Sequence, residues 1–500
     1  MINKTADGVF AELDRDNEYK NALGLYDNVK RNNNFYHDKQ WEGVNAPNLD
    51  KPVFNILKPA VNYYIGQLVS DDIGVSVDFN NLVSDEVDQG LEQTLQRLID
   101  RTFEQVKFNY KTREFVKNAA VDGDGCLYWH WDVDKNRLDA QIINNTDVAF
   151  GDASVCDVEK QPYIIIKQRR YTDSLKRYAK ACGCKEWDDI TYDSVGNYDG
   201  YNDDKLVGKY TDVALKFWKE NGTVYWMECT RKVIINKPTD LRIARYPIVW
   251  MVWEKDKNSY HGISPITGQI NNQIFVNKIY ALAMEYTKNF SFPKQLYDAT
   301  LIPRWSNKVG QAIAVNGNPQ QALFASYAPA GMNDQAIGLA DNTIEKTRSS
   351  MGVYDAALGD VKPDNTSAII ATQQAAAAPL NVQKLDFYQA VEDCVYIILE
   401  FIKAYDPMQE IKVQGLATYV NLSEIDFEKA HIKVDVGASS YWSELLQVQT
   451  LDNLMNLHII PDAITYLESV PDGFIKNKAD LINKIKEQQA QQMQMMPLQM

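Results

Sequence analysis

The chain has 500 residues, with 52 Lys and Arg against 67 Asp and Glu, giving a formal net charge of −15. A hydrophobic share of 45% and a charged share of 24% are those of a globular chain, which excludes wholesale disorder. The acidic balance excludes a surface that grips nucleic acid all over, because such surfaces are basic; it leaves open a protein that DNA passes through without sticking.

Met1–Asp16 is polar and acidic and lacks the basic start and apolar core of a secretory signal. Asn17–Tyr36 reads as one helix, since Tyr19, Leu23, Tyr26 and Val29 recur at three- and four-residue steps. His37–Pro52, rich in Asn, Asp, Gly and Pro, reads as a loop. Asn55–Val69 is a second, apolar helix, and Leu91–Asn118 a single long amphipathic one with Leu95, Leu98, Phe103, Val106 and Phe115 on its apolar face. From Gly123 the period changes. Cys126–Val133 and Arg137–Asn144 flank the turn Asp134-Lys135-Asn136 and predict a β-hairpin. Ile164–Arg170 and Val224–Ile235 add strands, Asp173–Ala181 a helix between them, and Tyr246–Trp253 closes an α+β unit.

Ser264–Lys288 aligns Ile266, Ile270, Ile274, Asn277 and Ala281 on one stripe and predicts a long helix. Phe290–Ala330, punctuated by Pro293, Pro303, Gly310, Gly317, Pro319 and Pro329, reads as a short-stranded insert. Met332–Met351 is helical again, so two helices flank the insert as a stalk carrying a cap. Gly352–Asn365 is a polar loop. Thr366–Tyr405 is a very long helix in which Pro379 removes a backbone donor, predicting a kink over Ala375–Leu380. Short strands run from Pro407 to Val436 and helices over Trp442–Lys486, and the Gln- and Met-rich Gln488–Met500 reads as a frayed tail. No stretch approaches the ~20 apolar residues of a spanning helix, so no membrane insertion is expected.

Chemistry-bearing motifs are scarce. The cysteines Cys126, Cys156, Cys182, Cys184, Cys229 and Cys394 are irregularly spaced and read as reduced thiols. The five histidines show no metal-ligand spacing, and no metal or cofactor is expected. Asp132-Val-Asp134-Lys-Asn136 begins like a calcium loop, but Arg137 stands where glycine is required and Ile143 where a bidentate Glu belongs, so a hairpin turn is the better reading. Asp122-Gly-Asp124-Gly125 could pair carboxylates for catalysis, yet Gly–Asp alternation before a strand reads as a turn. Trp129-His-Trp131 and Trp250-Met-Val-Trp253 could stack bases or sugars; packing is the simpler account. Phosphate-loop, dinucleotide, nucleophile-elbow and zinc-protease patterns are absent from the sequence. A non-enzyme is expected.

A succession of weakly specific stretches, taken in order, resembles the portal proteins of tailed bacteriophages. They are Tyr36-His-Asp-Lys-Gln-Trp41, Lys51-Pro-Val-Phe-Asn-Ile56, Val61-Asn-Tyr-Tyr-Ile-Gly66, Ala120-Val-Asp-Gly-Asp-Gly-Cys126 and Asp147-Val-Ala-Phe-Gly-Asp152, then the helix-bearing Thr172–Tyr178 region. His261-Gly-Ile-Ser-Pro265, Gly352-Val-Tyr-Asp-Ala-Ala-Leu-Gly359, Asn365-Thr-Ser367 and Val434-Asp-Val-Gly437 follow. The likeness covers nearly the whole chain. It departs at Ser367-Ala368, where portal sequences often carry Ser-Gly.

The resemblance implies an α+β protomer in a ring of about twelve copies. Its parts would be an N-terminal wing (1–257), a first stem helix (258–290), a clip (291–331), a second stem helix (332–351) and a tunnel loop (352–366). A kinked helix (367–406), returning wing strands (407–437), crown helices (438–487) and the tail (488–500) would complete it. It further implies a place at the capsid vertex of a virion assembled in the bacterial cytoplasm. Double-stranded DNA would be packaged and ejected through the channel. The large terminase subunit, a head-completion or adaptor protein, and capsid or scaffold protein would be partners. The motor's ATPase would be another protein.

An acidic bore suits that role. Duplex DNA carries about one charge per 1.7 Å, so a basic tunnel would hold it. In the tunnel loop Asp355, Asp360 and Asp364 accompany one cation, Lys362, beside Asn365. Lys362 would form the loop's one basic ring, a phosphate contact during passage, or else is a solvated surface lysine. The competing reading is a hydrolytic, carbohydrate-active enzyme with an acidic aromatic cleft, which requires two carboxylates facing across it. A third is another virion or scaffold protein with a helical stalk.

Overall fold

The computed structural model describes residues 2–69, 73–78, 85–133, 135–193, 209–290, 294–304, 312–319, 324–327, 334–353, 378–413, 416–424 and 431–436, and, further on, 448, 450–455, 457, 463–470, 478, 481–482 and 484–485. Helix and sheet are mixed throughout, which makes the protein α+β. The chain divides into two units. One comprises Met1–Ile65, Glu114–Tyr128 and Gln141–Val361; the other comprises Gly66–Arg113, Trp129–Ala140 and Lys362–Met500.

The first unit is organised around a five-stranded antiparallel sheet in the order β4-β5-β6-β7-β8, made by Val148–Phe150, Tyr163–Tyr171, Tyr210–Glu220, Thr223–Cys229 and Ile234–Asp240. β6 is absent from the sequence expectations, and the run expected over Val224–Ile235 is two strands. Asn221 (φ 55°) and Gly222 (φ 85°) make the two-residue turn that sets the β6–β7 register; positive φ at both positions matches the right-handed twist of the strands. Pro238 lies in the edge strand β8, where a missing donor costs least.

Helices cover both faces. α1 (Ala6–Ala22) is capped by Thr5, whose hydroxyl accepts from Gly8 N at 3.3 Å. It buries Val9, Phe10 and Leu13 against Ile165, Ala214, Trp218 and Met227. α6 (Thr172–Ala181) buries Leu175 and Ala179 against Val213 and Ile235. Neighbours in a strand point to opposite faces, so Val213 and Ala214 place the two helices on opposite sides of the sheet. The single helix expected over Asn17–Tyr36 is corrected. The chain is helical from Ala6, and Gly24, left-handed at φ 65°, separates α1 from α2 (Leu25–Tyr36).

α3 (Leu57–Val69) comes earlier in the chain, and α5 (Phe108–Asp122) leads directly into β2 (Asp124–Asp132), which is flanked by β3 (Arg137–Ile143) and by β9 (Ile248–Val252). This is the expected hairpin, with Asn136 at φ 46° in its turn. α7 (Ile270–Phe290) and α8 (Asp334–Ser350) pack antiparallel: Gln269 Nε2 donates to Ser350 Oγ at 3.2 Å, and Tyr280 OH to Asp341 Oδ1 at 2.6 Å. β10 (Lys294–Tyr297) and β11 (Phe324–Tyr327) continue that pairing as an antiparallel ribbon.

In the second unit β1 (Ile73–Asp78) pairs with β14 (His431–Val436), and β12 (Met408–Val413) with β13 (Leu416–Asn421). α9 (Asn381–Tyr405) buries Phe387, Val391, Cys394, Val395, Ile398 and Ile402. The long helix expected over Leu91–Asn118 is two helices. α4 (Asp85–Val106) ends at Lys107, left-handed at φ 55°, before α5 begins. Phe103 stacks on Phe108 across that break, ring centroids 4.1 Å apart, which holds the turn. Within the expected helical stretch Trp442–Lys486, α10 (Ala463–Ser469) is described; the Gln- and Met-rich tail is outside the described residues. None of the six cysteines is in a disulfide, and among the described residues no helix is long and apolar enough to cross a membrane.

Candidate functional site

The tunnel-loop residues Asp355, Asp360, Lys362, Asp364 and Asn365 lie outside the described residues. Pro379 is described. It sits in the 3-10 turn Ala378–Leu380 that leads into α9, a position where proline's missing donor is harmless. Residues 366–377, and with them the approach to the expected kink, lie outside the described residues.

What the first unit does bring together is the root of the α7–α8 hairpin. Four stretches distant in sequence converge there: Tyr36–Trp41, Lys51–Ile56, Ala120–Cys126 and His261–Pro265. The last two meet through a buried carboxylate. Asp124, 1% exposed, accepts from His261 Nδ1 at 2.7 Å and from Gly262 N at 2.7 Å. A carboxylate only accepts, so the His261 proton resides on Nδ1. Asn145 adds a third donor at 3.3 Å. Ser264 Oγ donates to Ala120 O at 2.7 Å and accepts from Ile266 N at 3.2 Å, capping the turn that enters α7.

The backbones cross so closely that side chains are excluded. A Cβ on Gly123, which has φ +100°, would stand 2.6 Å from Gly262 O, and one on Gly262 would stand 2.3 Å from a Val252 methyl. Asp122, next to this crossing, accepts from Asn33 Nδ2 at 2.6 Å, and burial pushes its carboxyl up to about 7.

The other two stretches are clamped by amides on the buried face of α7. Gln273 takes Ile56 N (2.8 Å) and gives to Phe54 O (2.8 Å), and Asn277 gives to Gln40 Oε1 (2.5 Å). Gln273 also donates to Asn277 Oδ1 at 3.0 Å, and Gln40 to Phe35 O at 3.0 Å, so the amides form a continuous chain. Trp41 fixes the neighbouring loop through Nε1 to Pro52 O at 2.7 Å. At the far end of the hairpin's second helix, Tyr64 OH donates to Met351 O at 2.5 Å, and burial raises that phenol.

Chemically this is a clamp. Its carboxylates are occupied by donors of the chain itself, and His261 is 3% exposed. Among the described residues no group of three His, Cys, Asp or Glu is placed to hold a metal ion. Of the pair Asp122 and Asp124, weighed from sequence for catalysis, Asp124 ties the strand entry of β2 to the turn before α7, and Asp122 meets Asn33 of α2. Sequence reading missed Asn32, whose Nδ2 donates to Val121 O at 2.8 Å, as well as Asn33 and Gln273, and had Gln40 only as part of a portal-like stretch. Their one visible signal was a polar residue on an apolar stripe, as Asn277 is among Ile270, Ile274 and Ala281. Trp129 and Trp253 are buried as packing residues, as expected of them.

No protein-family model and no curated protein sequence matches the chain.

Proposed function

We propose that the protein is a portal: a ring at one capsid vertex through which double-stranded DNA is packaged and later ejected. The large terminase subunit and then a head-completion or adaptor protein would dock on the outer end, and capsid or scaffold protein on the periphery. The observation that carries this reading is the hairpin root. Four of the stretches whose order resembles portal sequences meet at the root of α7. From that junction an antiparallel helix pair, tipped by a two-stranded ribbon, projects as a stem and clip would. A clamp of directional hydrogen bonds, linking Asp124 to His261 and Gly262 and running along the Gln273–Asn277–Gln40 amides, fixes direction better than apolar packing alone. A subunit that must line a channel with its neighbours needs such a fixed stem.

Immunogold labelling of intact virus particles tests the role. One label site per capsid, at the tail vertex, is the expected result. Label along the tail, or spread over the shell, would contradict it.

A further inference from the structure

A second feature of the first unit lies beside the hairpin root. α2, the turn Gln40–Val44 and the side of α7 enclose an open cleft of about 560 Å³. Its floor is apolar: Phe35, the half-buried Trp41 ring, Val44 and Ile274. The Trp41 N–H is already used on Pro52 O, so the ring offers a face and no donor. Around this floor stand Lys30, Arg31, Lys39 and Lys278, against the carboxylates Asp27 and Glu42. Arg31 is held by Asn271 at 3.1 Å. Among the described residues, Lys30, Lys39 and Lys278 have no ion-pair partner.

We propose that this cleft seats an acidic, apolar-tipped segment of a second copy of the chain, an inference that rests on the ring reading. Copies that each carry −15 repel one another on assembly. Salt screens that repulsion over about 8–10 Å, so contacts form only where local charge is complementary. An excess of cations over an aromatic floor supplies that complement. Aromatic and Arg residues with a polar rim are also the make-up of protein–protein contacts. A duplex fits less well: its closely spaced phosphates would meet Asp27 and Glu42 as well as the lysines.

Sedimentation velocity of the full-length protein in moderate salt tests this, comparing wild type with two triple variants. One is Lys30→Glu/Lys39→Glu/Lys278→Glu; the other carries Gln at the same three positions. All three lysines are exposed, so folding is preserved and is checked by unfolding midpoints. The expected result is association at least tenfold weaker in the Glu triple, with the Gln triple intermediate. Variants that assemble as wild type does would overturn the inference and leave the ring reading standing. So would DNA binding by wild type that the Glu triple abolishes while its assembly is unchanged. A wild type that stays monomeric at every concentration would overturn this inference, and one that also hydrolyses glycosidic bonds would remove the ring reading with it.

Discussion

Asp124 and Asp122 stand two residues apart in one turn and are used in opposite ways. Asp124 is surrounded by donors and holds His261 and Gly262 in place. Removing it as Asp124→Ala leaves two buried donors unpaired, and we expect a loss of about 3–5 kcal/mol in urea unfolding; a loss below ~1 kcal/mol would show that the junction is not held there. Asp122 has one amide donor and is mostly desolvated, which raises its carboxyl from 3.8 to about 7. The folded state therefore binds its proton more tightly than the unfolded chain does. Stability from this group is full below about 4 and is lost as pH rises towards about 7. Asp122→Asn should flatten that part of the profile, so that wild type loses more stability than the variant between pH 5 and pH 8. Parallel profiles would contradict the assignment. From sequence these residues were visible as a turn, because Gly–Asp alternation is a local signal. His261, the partner of Asp124, lies 137 positions away, a distance across which no local pattern speaks.

At the scale of elements, the strands and helices with clean periodicity were legible and those built on polar contacts were not. β5, with Ile164, Ile165 and Ile166 buried in succession, and α7, with its apolar stripe, are where their patterns put them. α1 escaped because its buried face carries the charged Glu12, Asp16 and Lys20 among its apolar residues. Glu12 pairs with Lys216 at 2.5 Å, and Asp16 with Lys20 at 2.8 Å, all four side chains buried. Burial lowers both lysines, so each keeps its charge only through its partner and the carbonyls it reaches. We expect Glu12→Leu alone to cost about 3–5 kcal/mol, and the double change Glu12→Leu/Lys216→Met to recover most of that loss. Chemical denaturation of the two variants decides it, and a double variant as unstable as the single one would show that the pair does more than satisfy itself. β6 had a signal that went unused: Val213, Leu215 and Phe217 alternate ahead of Asn221-Gly222. The break at Lys107 had none, since nothing in Gln105-Val-Lys-Phe108 marks a left-handed lysine.

At the scale of the whole molecule, the charge of −15 and the buried hairpin root belong to one account. In the proposed ring, an acidic protomer would leave DNA free to slide, and the hairpin root would set where each stem points. Lys362, the loop's lone cation, is the proposed touch point for phosphate. In a packaging assay Lys362→Glu should lower the DNA retained per particle while rings stay intact; unchanged packaging would sink that role. The ring itself could not be inferred from periodicity or from spacing. It comes from the order of the stretches that resemble portals, and it must be measured directly. The most direct measurement is the mass and shape of the purified protein. Native mass spectrometry with negative-stain imaging should give about twelve copies of the 57.0 kDa chain, close to 700 kDa, as closed rings with a central hole. A monodisperse 57.0 kDa species that hydrolyses glycosidic bonds would contradict the account.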